Sequence, residues 1–136
     1  MAQHNDLGRR GEDIAEEYLV GQGFRIVCRD WKMGHNDADL IAWDGNTLVF
    51  IEVKTRSSNN LAQPEDWVTP DKQRTYIRLA NQYVTQHRIE EEVRFDIIGI
   101  ILNAQGHTLH HLRRAFDACS AQCPRSPYGL ASPGRI

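Results

Sequence analysis

Residues 37–56 read Asp37-Ala38-Asp39-Leu40-Ile41-Ala42-Trp43-Asp44-Gly45-Asn46-Thr47-Leu48-Val49-Phe50-Ile51-Glu52-Val53-Lys54-Thr55-Arg56. Two apolar segments flank a turn, and charge collects at their outer ends: Asp37 and Asp39 on the way in, Glu52, Lys54 and Arg56 on the way out. Strand side chains alternate faces, so Asp37 and Asp39 share one face, as do Glu52, Lys54 and Arg56. The turn decides whether the two sets meet. With Gly45-Asn46 as a two-residue loop, Asp44 pairs with Thr47 and Asp39 lies opposite Glu52. With Asp44-Gly45, the dipeptide favoured in type I′ turns, Asp37 lies opposite Glu52 and Asp39 opposite Phe50. Either register gathers Asp37, Asp39, Glu52 and Lys54 at one end of one face; a three-residue loop would break the cluster.

Such a cluster is costly. Carboxylates facing each other across strands repel. Leu40, Ile41, Leu48, Val49, Phe50, Ile51 and Val53 supply apolar groups to both faces, the pattern of strands covered on both sides. Charges at the end of a buried strand need a partner. Lys54 alone is one solution. A hard divalent cation is another, since Mg²⁺ takes one or two carboxylates, keeps several waters and accepts substrate phosphate. Asp39 and Glu52 fit that demand, and Lys54 would then stand where a phosphoryl group meets an attacking water.

Asp39 followed by Glu52-Val53-Lys54 resembles the Asp…Glu-x-Lys signature of the restriction-endonuclease-like nucleases, the PD-(D/E)XK superfamily. Within it the chain closely resembles the YraN-like bacterial proteins, which are similar to archaeal Holliday-junction resolvases. The resemblance runs from about Gly8 to Phe116. It includes Gly8-x-x-Gly11-Glu12-x-x-Ala15, the segments around Asp39 and Glu52-Val53-Lys54-Thr55-Arg56, Lys72, Arg94-Phe95-Asp96, and His110-His111-x-x-x-Ala115-Phe116. Where the family pattern runs Gly-Glu-Ile-Asp-Leu, this chain has Asn36-Asp37-Ala38-Asp39-Leu40, so its outer carboxylate is one methylene shorter.

The resemblance implies a restriction-endonuclease-like three-layer sandwich. It further implies Mg²⁺ or Mn²⁺ held by Asp39 and Glu52, with Lys54 orienting water or stabilising charge. Glu12 would be a supporting carboxylate near the metal, and Arg56 and Lys72 would contact phosphate. The expected activity is DNA phosphodiester hydrolysis leaving a 5′-phosphate, with branched or junction DNA as substrate. A homodimer would suit a two-fold substrate. The competing expectation is a non-catalytic nucleic-acid-binding or scaffold protein that keeps the fold. The bland readings are an ion-pair network for Asp39, Glu52 and Lys54, a solvated helix charge for Glu12, an exposed lysine for Lys72 and an edge-strand charge for Arg56.

The 136 residues suit one domain able to bury a core without staples. Sixteen basic against eighteen acidic side chains give a formal net charge of −2, which argues against binding nucleic acid by bulk charge but not against a nuclease with an acidic centre. Three cysteines offer no disulfide framework. With the polar start Met-Ala-Gln-His-Asn-Asp, they lead to the expectation of a cytoplasmic protein. The longest apolar stretch, Ile97 to Leu102, is too short to span a bilayer.

Leu7, Gly11, Ile14, Ala15, Tyr18 and Leu19 recur at helical spacing, with Asn5 or Asp6 as the expected cap and Gly21 or Gly23 as the stop. Phe24 to Arg29 reads as a strand followed by a polar loop through Asn36. The hairpin comes next, and Ser57 to Pro64 reads as a polar loop beside the site. Thr69-Pro70 opens a second helix that runs to about His87. Glu90 to Glu92 reads as a charged connection, Val93 to Leu102 as a strand, Asn103 to Gly106 as a turn and Thr108 to Arg114 as a last strand. Residues 1–118 make the expected domain, and Cys119 to Ile136 the expected flexible tail. The order α-β-β-β-α-β-β implies helices on both sides of a mixed sheet. Arg94 and Asp96 share a face and read as a structural pair. A zinc site at His110-His111 with Cys119 and Cys123 is a poor match to structural zinc spacing.

Overall fold

Asp44 pairs with Thr47, Ala42 with Val49 and Leu40 with Ile51. Gly45-Asn46 is therefore the hairpin loop, with Gly45 in the left-handed region at φ 62° that such a turn demands. The computed structural model describes residues 2–57 and 68–117, with side chains from residue 6 onward. It contains helix α1 (Ala2–Gly21), strands β1 (Arg25–Met33), β2 (Asn36–Asp44) and β3 (Thr47–Arg56), helix α2 (Pro70–His87), and strands β4 (Glu92–Asn103) and β5 (Gly106–Phe116). This is the α-β-β-β-α-β-β order expected from the sequence.

The strands form one mixed sheet in the order β1-β2-β3-β4-β5. Only β3 and β4 are parallel, and they lie at the centre, buried nearly end to end. That burial on both faces explains their continuous apolar runs. The two faces carry separate cores. Ala15 and Leu19 of α1 pack on Leu40, Ala42, Val49, Ile51, Ile98 and Ile100. Tyr76, Ile77, Leu79, Ala80 and Tyr83 of α2 pack on Ile41, Leu48, Phe50, Phe95 and Ile97. The architecture is a three-layer α/β/α sandwich.

Several boundaries differ from expectation. α1 starts at Ala2, so Asn5 and Asp6 lie inside it; no Gly or Pro between Ala2 and Leu7 stops the helix from extending. The supposed polar loop after Arg29 is mostly strand, and β1 reaches Met33 before a tight turn at Gly34, where φ is 64°. Asp30 concealed this. It sits in the left-handed region at φ 53°, so Cys28 and then Trp31 and Met33 reach the same core although the simple alternation between them is broken. α2 begins as expected, with the Thr69 hydroxyl accepting from the Lys72 amide. The expected loop at Ser57 to Pro64 falls almost wholly, and the expected tail entirely, outside the described residues. Among the described residues no helix is long and apolar enough to cross a membrane.

α1 comes so close to the sheet that a Cβ on Gly11 would meet the Thr55 hydroxyl oxygen at 1.8 Å and its Cβ at 3.0 Å. Threonine is stiff at χ1, so the hydroxyl cannot simply turn aside. Gly11→Ala should therefore destabilise the protein by about 1–3 kcal/mol through overpacking, although alanine is the better helix former. Thr55→Ala in the same chain should restore part of that loss. Urea unfolding of the single and double variants measures both effects.

Candidate active site

β2 and β3 part company at Asp39. Their ladder is in register to Leu40–Ile51. Leu40 packs on the α1 side, whereas Ala38, two residues earlier, packs on the α2 side, so the alternation slips at Asp39. The expected single face of charges is thereby broken: Glu52 points to Tyr76 of α2, whereas the Asp39 carboxylate turns toward Glu12 of α1. The hairpin end still leaves Asp39 within electrostatic reach of Glu52 and Lys54 beside Glu52. Asp39 Oδ2 accepts from the Val53 amide at 2.8 Å. One oxygen each from Asp39, Glu12 and Asp30 lie within 4.8 Å of one another.

Each member of that trio is delivered by a local device. Glu12 follows Gly11, so the close approach of α1 to Thr55 presses it against the sheet. Asp30 is re-aimed by its left-handed backbone. Arg29 braces the helix: its guanidinium donates to Asp13 at 2.8 Å, Glu16 at 3.1 Å and Glu12 at 3.2 Å.

Glu52 is only 4% exposed. Its Oε1 accepts from the Tyr76 hydroxyl at 2.6 Å, and its Oε2 lies 3.4 Å from the Lys54 ammonium. The same Tyr76 oxygen accepts from the Asp39 amide at 3.1 Å, which ties the two strands together where they separate. Lys72 places its ammonium 5.9 Å from the centre of the Tyr76 ring, beside this group. Arg56 is exposed at the end of β3, its guanidinium on the Thr55 carbonyl. Asp37 pairs with Lys32 at 3.2 Å.

The electrostatics are unbalanced. Burial pushes Asp39 up, and the charges of Glu52, Glu12 and Asp37 push it further against the single Val53 amide, to about 8. Burial and Asp30 raise Glu12 as well, although Arg29 opposes them. The donor set is all carboxylate oxygen, which suits a hard divalent cation. The residues around Asp39 therefore fit Mg²⁺ or Mn²⁺ in the chemistry of their donors.

Three participants were not singled out from the sequence. Asp30 belongs to no motif, and only its break in the alternation of β1 marks it. Arg29 ended the expected strand, and nothing local pairs it with α1. Tyr76 occupies an inward position of α2 and reads as core until its hydroxyl is located. The Arg94–Asp96 pair is as expected, with bonds of 2.9 and 3.0 Å. His111 Nε2 donates to the same carboxylate at 2.8 Å. Cys119 and Cys123 lie outside the described residues.

Residues 11–100, from Gly11 through the centre of β4, match the family described as Uncharacterised protein family UPF0102. The chain belongs to UPF0102, the YraN-like family. Glu12, Asp30, Asp39, Glu52, Lys54 and Tyr76 all fall inside the matched region. A UPF0102 protein of Christiangramia forsetii is 40% identical over 116 residues, which is 85% of this chain and 98% of that protein. One from Bacteroides fragilis is 41% identical over 116 residues, covering 85% and 96%. One from Chlorobium chlorochromatii is 44% identical over 117 residues, covering 82% and 91%.

The raised Asp39 has a consequence for stability. Without metal, the folded protein keeps that proton to about pH 8, whereas an unfolded aspartate releases it near pH 4. Between those values the folded state binds more protons, so stability falls as pH rises. Asp39→Asn should abolish this loss: in EDTA the variant should melt above the native protein at pH 8, and the two should converge near pH 4. Thermal melts across that range check the sign.

Proposed function

We propose that this protein is a Mg²⁺- or Mn²⁺-dependent nuclease of the restriction-endonuclease-like class that hydrolyses DNA phosphodiesters, with branched or junction DNA as its substrate. The observation that carries the reading is Asp39: a buried carboxylate, crowded by Glu52 and Glu12 and held by one amide. An ion-pair network alone would neutralise such a group, and this one is left short of positive charge. The ordered resemblance around Glu52-Val53-Lys54 supplies the chemistry.

Asp39 and Glu52 would hold the cation, with Glu12 and Asp30 bordering Asp39 on the α1 side. Both Glu52 oxygens already have partners, but each keeps a second lone pair for coordination. A divalent cation bound there would polarise the scissile phosphate and lower the pKa of a water. Lys54, half-buried beside Glu52, would meet the phosphoryl oxygens and stabilise the charge they gain. Arg56 and Lys72 would seat flanking phosphates. A junction substrate, being two-fold, would engage two copies of the chain.

Lys54→Ala should lower the cleavage rate by roughly 10²–10³ with only a small loss of DNA affinity, because many phosphate contacts share the binding. Arg56→Ala and Lys72→Ala should do the reverse, weakening binding and flattening its salt dependence. Cleavage of linear, nicked and four-way DNA with Mg²⁺, Mn²⁺ or EDTA provides the measurement. A wild-type protein that binds four-way DNA but cuts nothing with either metal would replace this reading by the non-catalytic one.

A further inference from the structure

Tyr76 is fully buried on the inner face of α2, among Ile77, Leu79 and Ala80. Packing there needs only a ring, and a buried phenol costs stability unless its hydroxyl is bonded. This hydroxyl has three oxygen or nitrogen neighbours, all at the metal-site end of the hairpin: Glu52 Oε1 at 2.6 Å, the Asp39 amide at 3.1 Å and the Ile51 carbonyl at 3.4 Å. It carries one hydrogen. The short bond to the Glu52 carboxylate has the length of a charge-assisted O–H···O⁻ contact and takes that hydrogen. The oxygen then accepts from Asp39, and the Ile51 carbonyl receives nothing from it.

Glu52 is consequently held at both oxygens, by a phenol from α2 and by the Lys54 ammonium. The ring is itself held, edge-on to Phe116 with centroids 6.5 Å apart. We propose that Tyr76 is a positioning residue for the metal centre. By tying the Asp39 backbone to the Glu52 carboxylate where β2 and β3 part, it sets the spacing of the two proposed ligands. It touches neither metal nor phosphate and acts through Glu52. This inference rests on the metal-site reading above.

The test is Mn²⁺ titration of the purified full chain by calorimetry, which needs no catalytic turnover. Tyr76→Phe should keep its far-UV dichroism and fold, while Mn²⁺ affinity drops roughly 10–100-fold, as when an outer partner of a ligand is removed. Glu52→Gln should also weaken binding, and adding Tyr76→Phe to it should change affinity by less than about 2-fold, since the two act as one unit. Phe116→Leu, which disturbs the packing of the ring but not its hydroxyl, should lower the melting temperature and leave Mn²⁺ affinity unchanged. Wild-type affinity in Tyr76→Phe alongside weakened Glu52→Gln would overturn the role of Tyr76 and leave the metal site standing. Additive losses in the double variant would also overturn it. No Mn²⁺ uptake by the wild-type protein would remove the metal site and this inference together.

Discussion

A carboxylate buried beside other carboxylates is the feature around which the rest of this molecule is arranged. Asp39 gains one amide bond and loses its hydration, and Glu52, Glu12 and Asp37 all add repulsion. On balance, charge at that position raises the free energy of the metal-free chain. It persists because the framework around it is over-determined. The central parallel pair β3 and β4 is covered on both faces, α1 is locked against β3 at Gly11 and Thr55, and Tyr76 clips the parting strands from the other side. Strain at a site of this kind must be offset elsewhere, and the two apolar cores supply the offset.

The hairpin and α2 were legible because their signals are local. Alternation fixes which side chains share a face, and a two-residue loop allows only two registers with a common outcome. Thr69-Pro70 marks a helix start by capping chemistry that needs no tertiary partner. β1 was legible only to Arg29, because the left-handed turn of the backbone at Asp30 inverts the alternation that identifies a strand. The slip at Asp39 escaped for the same reason: periodicity assumes a regular pleat, and both irregularities lie at the candidate site. Glu12 and Lys72 came forward through the resemblance, since a charge beside a helical apolar stripe is commonplace. Tyr76 and Arg29 act across distances in sequence that no local pattern spans, and a tyrosine on an inward helical face is indistinguishable from core until its hydroxyl is placed.

The chain contains its own control for the claim that Asp39 is more than a structural charge. Asp96 is also buried, at 1% exposure, on the central strand β4. There the charge is answered in full. Arg94 grips both oxygens, His111 lies at 2.8 Å and the Arg114 amide donates at 3.0 Å. Burial pushes Asp96 up, yet these partners together bring it below the usual aspartate range. Arg94 extends the network to Asp44, and the Tyr18 hydroxyl meets the far nitrogen of His111 at 3.0 Å. This is how the fold treats a carboxylate kept for architecture: it surrounds it with donors until ionisation is favoured.

Asp39 receives the opposite treatment in the same sheet. Among the described residues, no buried side-chain polar atom lacks a partner, so hydrogen bonding is satisfied at both places and cannot be what separates them. The separation is in charge. Several cations around the Asp39 group are engaged with its neighbours: Arg29 with Glu12, Asp13 and Glu16, Lys54 with Glu52 and Lys32 with Asp37. A fold that can build the Asp96 network can neutralise a carboxylate when stability is the only demand. Leaving Asp39 short of positive charge makes physical sense if that charge arrives from outside the chain, and a hard divalent cation is the form in which an all-oxygen site accepts it.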